Sequence, residues 1–266
     1  MGATSKPAGA DRTLPAGAEN RGLEMTPVMR VRTGALVASL VLLAGVAIGH
    51  GWSGTSFVVF AYWLALCLAG EVLWVRLPLG SATISMASCF NFAALLVLTR
   101  AEAMGITAAA TLAAELAIMR KPPLRAAFNA AQTALAVWCA WWAFRLAGGA
   151  VHTPAALLSS LHLVPFLAAA ALYYLVNRTA VTLAIASSTG LGFLEAWRRN
   201  FGGGYDALAA GAVLSLGAML ATLYSAVGMA GALFVVLPLA IAGDGIRRRS
   251  QSAVEAEKAE GDQRAA

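Results

Sequence analysis

Apolar and polar positions along this chain fall into long blocks, not the residue-by-residue alternation of a half-buried strand. Eight apolar runs, at roughly 33–49, 56–75, 83–99, 102–119, 125–147, 160–188, 206–225 and 228–245, are separated by short polar turns. A helix needs about 20 mostly apolar residues to cross a hydrocarbon core of about 30 Å. Runs of this length predict an all-α fold, a polytopic helical membrane bundle of about eight transmembrane helices. Two of the runs are irregular. Pro78 and Gly80 make Leu77-Pro78-Leu79-Gly80-Ser81 a poor helix interior. The third helix is therefore expected to begin after Ser81, behind a short extended or re-entrant stretch. The stretch from Pro154 to Thr189 is too long for one straight crossing, and Pro165 is the expected break.

Domain limits follow from where the periodic apolar pattern stops. Residues 1–32 are rich in Ala, Gly, Pro and mixed charge and are expected to form a disordered cytoplasmic tail. Residues 33–245 form the transmembrane helical domain, and 246–266 a tail that is first basic, through Arg247-Arg248-Arg249, and then of mixed charge. Arg30 and Arg32 ahead of an apolar run closing at Ala47-Ile48-Gly49 also fit a secretory signal with a small-x-small cleavage site. The long leader favours retention as a first helix.

Charge orients the bundle. Arg30/Arg32, Arg76, Arg120/Lys121/Arg125, Arg198/Arg199 and Arg247/Arg248/Arg249 recur after every second apolar run. With both termini cytoplasmic, only Arg100, Arg145 and Arg178 of the 19 Lys and Arg fall elsewhere, as the excess of basic residues in cytoplasmic loops requires. The expected location is a cell inner membrane, multi-pass. Trp52, Trp74, Trp142 and Trp197 lie near run ends, where an indole suits the interface.

Composition agrees. The chain is 59% hydrophobic and 12% charged, with mean hydropathy +0.72, too apolar to clothe a soluble globule of 266 residues. The lipid bilayer is thus its main partner. The net charge of +6 sits in membrane-flanking turns and tails with no basic face interleaved with aromatics, so no nucleic acid is expected. Cys67, Cys89 and Cys139 fall inside apolar runs without C-x-x-C spacing, so neither disulfide nor zinc is expected. His50, His152 and His162 share the outer side but have no ligand-like spacing, and no metal or other cofactor is expected. No lysine lies in a span to carry a retinal Schiff base. No H-E-x-x-H, P-loop or G-x-S-x-G is present. Gly51-Trp52-Ser53-Gly54 is similar to the serine motif of rhomboid proteases but lies in an outer turn without an intramembrane histidine. The chain is not expected to be an enzyme.

Polar residues inside the runs are few, and each is a candidate for function because ionisable groups are costly in lipid. Glu71, Glu115, Asn129 and Gln132 lie roughly 6 to 12 Å from the cytoplasmic border at 1.5 Å rise per residue. Asn91 is somewhat deeper, and Asn177 and Arg178 occupy the inner half of the sixth run. Helical spacing puts Asn129 with Gln132, Tyr173 with Asn177, and Tyr174 with Arg178 on common faces. These residues predict a polar, ligand-binding layer in the cytoplasmic half: Glu71, Asn91, Glu115, Asn129, Gln132, Tyr174, Asn177 and Arg178. Arg178 is expected to pair with Glu115 or Glu71; the alternative is that it snorkels to the headgroups. Gly45-x-x-x-Gly49 permits close helix approach, and hence a homodimer.

Several of these segments carry a family resemblance. They are Arg125-Ala126-Ala127-Phe128-Asn129-Ala130-Ala131-Gln132, Gly148-Gly149, Tyr173-Tyr174-Leu175-Val176-Asn177-Arg178, Trp197-Arg198-Arg199-Asn200-Phe201, and Gly231-Ala232-Leu233-Phe234-Val235-Val236-Leu237-Pro238-Leu239. From Glu71 to Gly245 the chain resembles the multi-helix N-terminal membrane domain that precedes HD-GYP phosphodiesterases and GGDEF diguanylate cyclases in some bacteria. The resemblance implies a sensory or regulatory membrane module. The sequence holds neither H-D-G-Y-P nor G-G-D-E-F, so a separate cytoplasmic signalling partner is expected. The alternative function is a small-molecule transporter, or the substrate-binding membrane subunit of one.

Overall fold

A computed structural model describes residues 27–49, 56–76, 83–150, 163–202, 204–238 and 241. The expected tails at 1–26 and 246–266 lie outside the described residues, as do His50, His152 and His162. Helix α1 (Pro27–Gly49) starts six residues before the expected boundary. Proline is well suited to a first helical position, since its fixed φ is already helical and its missing N–H would have had no intrahelical partner. Residues 27–32 are thus helix, a correction to the disordered assignment.

Helix α2 (Phe57–Val72) is capped by Ser56, whose hydroxyl accepts from the Val59 N–H at 3.4 Å. The chain then becomes extended. Strands β1 (Trp74–Arg76) and β2 (Thr83–Ser85) pair antiparallel, with Val75 opposite Ile84. Helix α3 (Ala87–Val97) follows. The fold is therefore all-α apart from one small hairpin, which falls where Pro78 and Gly80 disfavour helix. At 11 residues, α3 is only about 16 Å long, so the third apolar run is not a full-length crossing helix. Extended backbone at membrane depth is tolerated where protein covers it, and α3 is buried along most of its length between α2 and a later helix over Gly204–Val227.

Helix α4 (Arg100–Ala113) begins where the Glu102 carboxylate accepts the Thr99 N–H at 3.2 Å, and continues as a π-helical turn over Ala114–Ile118. Helices α5 (Pro123–Leu146) and α6 (Leu163–Thr189) come next. Pro165 sits in the first turn of α6, so it marks the start of a 27-residue helix; the part of the run before Leu163 is outside the described residues. A short helix that the apolar pattern did not separate, α7 (Phe193–Phe201), places Phe193, Leu194, Trp197 and Phe201 against Glu195, Arg198 and Arg199. Such a strongly amphipathic helix suits the plane of the membrane interface. Helix α8 (Gly204–Val227) is followed by a 3₁₀ turn over Gly228–Ala232 and helix α9 (233–238).

Four stretches among the described residues have the length and composition of a crossing helix: Pro27–Val46, Arg100–Ile118, Leu163–Thr189 and Asp206–Pro238. The last is not one straight helix. Gly228 adopts φ +71°, and a Cβ at Gly231 would lie 2.3 Å from the Leu223 carbonyl oxygen. Residues eight apart in a continuous helix would be about 12 Å apart, so the chain doubles back there, at the border between the seventh and eighth apolar runs. The Tyr62 hydroxyl donates to the Met229 carbonyl at 2.6 Å and ties this turn to α2.

The core is built on α5, which packs along α6, α4 and α1, and on α3 against α8. Trp63, Phe90, Phe92 and Phe144 are among its fully buried side chains. Large apolar residues such as Leu42, Leu167, Leu208 and Phe234 point outward, as a bundle solvated by lipid requires. Helix α8 meets the α3 backbone at Gly217, where an added Cβ would come within 2.5 Å of the Cys89 carbonyl oxygen. Backbone cannot yield as a flexible side chain does, so Gly217→Ala is expected to lower stability by about 1–3 kcal/mol. Gly211→Ala, which meets nothing within 4 Å, should change it by under about 0.5 kcal/mol. Thermal unfolding of both variants in detergent checks the difference.

Candidate functional site

The end of α4 is shaped by an unusual turn. Its π-helical residues Ala114–Ile118 include Glu115, and π-turns within helices are rare features often found at functional sites. Arg120 then takes φ +52°, a left-handed conformation uncommon outside glycine. This reversal lets the Lys121 N–H donate to the Glu115 carbonyl at 2.8 Å and brings Lys121 Nζ to 2.6 Å from Glu115 Oε1. Pro122 and Pro123 cannot extend the ladder, and Pro123 opens α5. Asn129, nearly two turns into α5, donates to the same Glu115 Oε1 at 2.6 Å. One buried carboxylate oxygen thus receives both an ammonium and an amide.

Around this corner lies a cavity of about 300 Å³. Glu71 closes it from the last turn of α2, accepting the Thr111 hydroxyl of α4 at 2.5 Å. The first turns of α3 supply Ser88 and Asn91, and α5 supplies Asn129, Gln132 and Thr133. On α6, Tyr173, Asn177 and Val181 are spaced by four, as are Tyr174 and Arg178, so both rows face the cavity. Ala210, Val213 and Leu214 of α8 add an apolar wall. The site takes the ends of α2 and α4 and the starts of α3, α5 and α8. It therefore sits at one end of the bundle, the end carrying Arg120, Lys121, Arg125, Arg198 and Arg199.

All eight residues of the predicted polar layer, Glu71, Asn91, Glu115, Asn129, Gln132, Tyr174, Asn177 and Arg178, line this one cavity. The pairing expected for Arg178 is different. Its Nε and Nη2 donate to Asp206 Oδ2 and Oδ1 at 2.9 and 2.6 Å, a bidentate pair, and the Tyr174 hydroxyl donates to Asp206 Oδ2 at 2.9 Å. Glu115 is taken by Lys121 and Asn129, and Glu71 by Thr111. Asp206 stands at the start of α8, one turn after the α7–α8 turn, and a planar guanidinium fits two carboxylate oxygens better than a single one. The Arg178 guanidinium also lies 4.7 Å from the centre of the Phe201 ring, so the cavity wall touches α7.

Five polar participants went unread in the sequence. Thr111, Thr133 and Ser88 are common in apolar helices and carry no distinguishing signal. Lys121 reads as an ordinary interfacial base. Asp206 reads as the edge of a span, about 15 Å shallower than Arg178 by the limits of the apolar runs. At the opposite end of the bundle Arg100 lies 5.4 and 5.8 Å from the rings of Trp141 and Trp142, and Arg145 lies 5.9 Å from Trp141. Arg100 and Arg145 are thus held away from the cavity. Among the described residues no group of three or more His, Cys, Asp and Glu is placed to hold a metal.

A helical bundle with apolar flanks and a polar cavity at its basic end defines a membrane-associated domain. The MASE9 family model matches residues 49–243, and the chain belongs to that family. MASE domains are membrane-associated sensory domains of signalling proteins and are not catalytic. No curated protein and no solved structure matches the chain.

Because Arg178 is bound by Asp206, the charge-swapped pair Arg178→Asp with Asp206→Arg is expected to recover most of the stability lost by either change alone. Asp206→Ala should cost about 1.5–3 kcal/mol, the range for a hydrogen bond to a charged group. Combining Arg178→Asp with Glu71→Arg or Glu115→Arg should recover nothing. A double-mutant cycle by thermal unfolding reads all three.

Proposed function

We propose that this chain is a non-enzymatic sensory domain whose cavity receives a small molecule from the cytoplasmic side and reports it to a separate signalling protein. The observation that carries this reading is the cavity itself. Five helices of a sensory-family membrane domain contribute polar side chains to one cavity, and a sixth adds an apolar wall. Sensing also needs a route to the surface, and the contact of Arg178 with Phe201 supports α7 as that route. Arg178 lines the cavity, while Glu195, Arg198 and Arg199 of α7 are exposed to a partner at the basic end. In this proposal the protein is multi-pass in a bacterial inner membrane with both termini cytoplasmic, supported by the placement of its basic clusters. A Cβ at Gly45 or Gly49 would meet nothing within 4 Å in the single chain, which leaves room for a homodimer along α1.

A second reading, a small-molecule carrier or substrate-binding subunit, is favoured by one feature. Helix α3 is short and preceded by extended backbone, and its first turns line the cavity. Interrupted helices ending at a polar site occur in transporters.

The two readings separate experimentally. A sensory domain in proteoliposomes is expected to show no solute flux and to retain a soluble regulator when purified from gently solubilised membranes. Arg198→Glu/Arg199→Glu should lose that regulator without loss of folding. Saturable uptake that collapses in Asn129→Leu establishes the carrier instead. Reporter fusions at the two termini should both register the cytoplasm; signals on opposite faces refute the topology.

A further inference from the structure

We infer that the cavity binds a small organic ammonium compound, one with a protonated amine and a short apolar body. This deepens the sensory reading of the same site and rests on it. Three side-chain oxygens on residues that line the cavity are buried with no hydrogen-bond partner among the described residues: Asn91 Oδ1, Glu115 Oε2 and Gln132 Oε1. They come from α3, the end of α4 and α5, and each residue is more than nine-tenths buried, at 2%, 4% and 6% exposure. All three are acceptors, and no buried donor of the wall is left in the same condition. Leaving one such group unpaired costs about 1–3 kcal/mol, so three in one cavity mark a place where hydrogen-bond donors are missing. An ammonium carries three donors and no acceptor.

Charge selects the same class. Both cations of the wall are already committed, Lys121 to Glu115 at 2.6 Å and Arg178 to Asp206 through two bonds. An anion would meet cations whose charge a carboxylate already neutralises. Val181, Val213 and Leu214 line the same space and suit a short alkyl body. The ammonium can arrive on a free amine or on an aminophospholipid headgroup, since both present the same three donors.

The test uses the full chain in phosphatidylcholine nanodiscs, with Tm read by tryptophan fluorescence. The probes are n-butylammonium and butyrate at matched ionic strength. Butylammonium is expected to raise Tm by at least about 3 °C at a hundredfold excess over its apparent Kd, and butyrate to leave it unchanged. Replacing an unpartnered buried polar group with an apolar one is neutral or stabilising. Gln132→Leu should therefore match or exceed the wild-type Tm, and Asn91→Leu/Gln132→Leu, which also removes the Asn91 hydrogen bond to Tyr173, should stay folded while losing at least tenfold in apparent butylammonium affinity. That combination separates binding from damage to the fold.

Adding phosphatidylethanolamine distinguishes the source. A higher basal Tm with a suppressed butylammonium response assigns the headgroup, and an unchanged response assigns a free amine; both uphold the inference. A butyrate shift without a butylammonium shift overturns it and leaves a ligand-sensing cavity standing. No shift with either probe, or a butylammonium shift that persists in the double leucine variant, also overturns it. Flux or regulator retention then judges the sensory reading separately.

Discussion

Hydrocarbon offers a polar group nothing to bond to, and this constraint organises the molecule. Every carboxylate, amide or guanidinium placed in an apolar run must find another polar group from a different helix, or reach the interface. The bundle gathers most of these groups into one corner. Glu115 binds Lys121 and Asn129, Glu71 binds Thr111, and Arg178 binds Asp206 and lies near Tyr174 and Phe201. These bonds join α2 to α4, α4 to α5, and α6 to α8. They set the relative position of helices whose lipid-facing sides have no preferred partner.

The irregular elements serve that corner. A straight α-helix from Arg100 would run past the site. The π-turn at Ala114–Ile118 and the left-handed Arg120 instead end α4 so that Lys121 folds back over Glu115. The hairpin before α3 likewise delivers Ser88 and Asn91 to the cavity at the start of a helix, where a continuous span would have carried them through the membrane. Left-handed backbone outside glycine costs of order 1–3 kcal/mol and persists only where its surroundings over-determine it. Here an ion pair and two prolines do so.

The position of α7 relates the cavity to the surface. Its aromatic face meets Arg178 through Phe201, and its basic face meets water. A change in how Arg178 is held therefore has a direct mechanical neighbour in a segment exposed at the basic end. This neighbour exists because Arg178 spends its hydrogen bonds on Asp206, at the start of α8 and five residues after Phe201.

Much of this was legible in the amino-acid pattern. Long apolar runs demand helices, and rare polar residues in lipid must face inward. Glu71, Asn91, Glu115, Asn129, Gln132, Tyr174, Asn177 and Arg178 could thus be picked out by type and depth alone. Breaks at Pro78 and near Val227 were also visible, because proline and glycine act locally. Partner choice was not. Whether Arg178 meets Glu71, Glu115 or Asp206 depends on which helices are neighbours and how each is rotated. Apolar surfaces pack in many nearly equivalent ways, so sequence spacing along one helix says nothing of the helix beside it. The π-turn, the hairpin register and the three unpartnered oxygens emerge only once backbone and packing settle together, and so only the tertiary structure decided them.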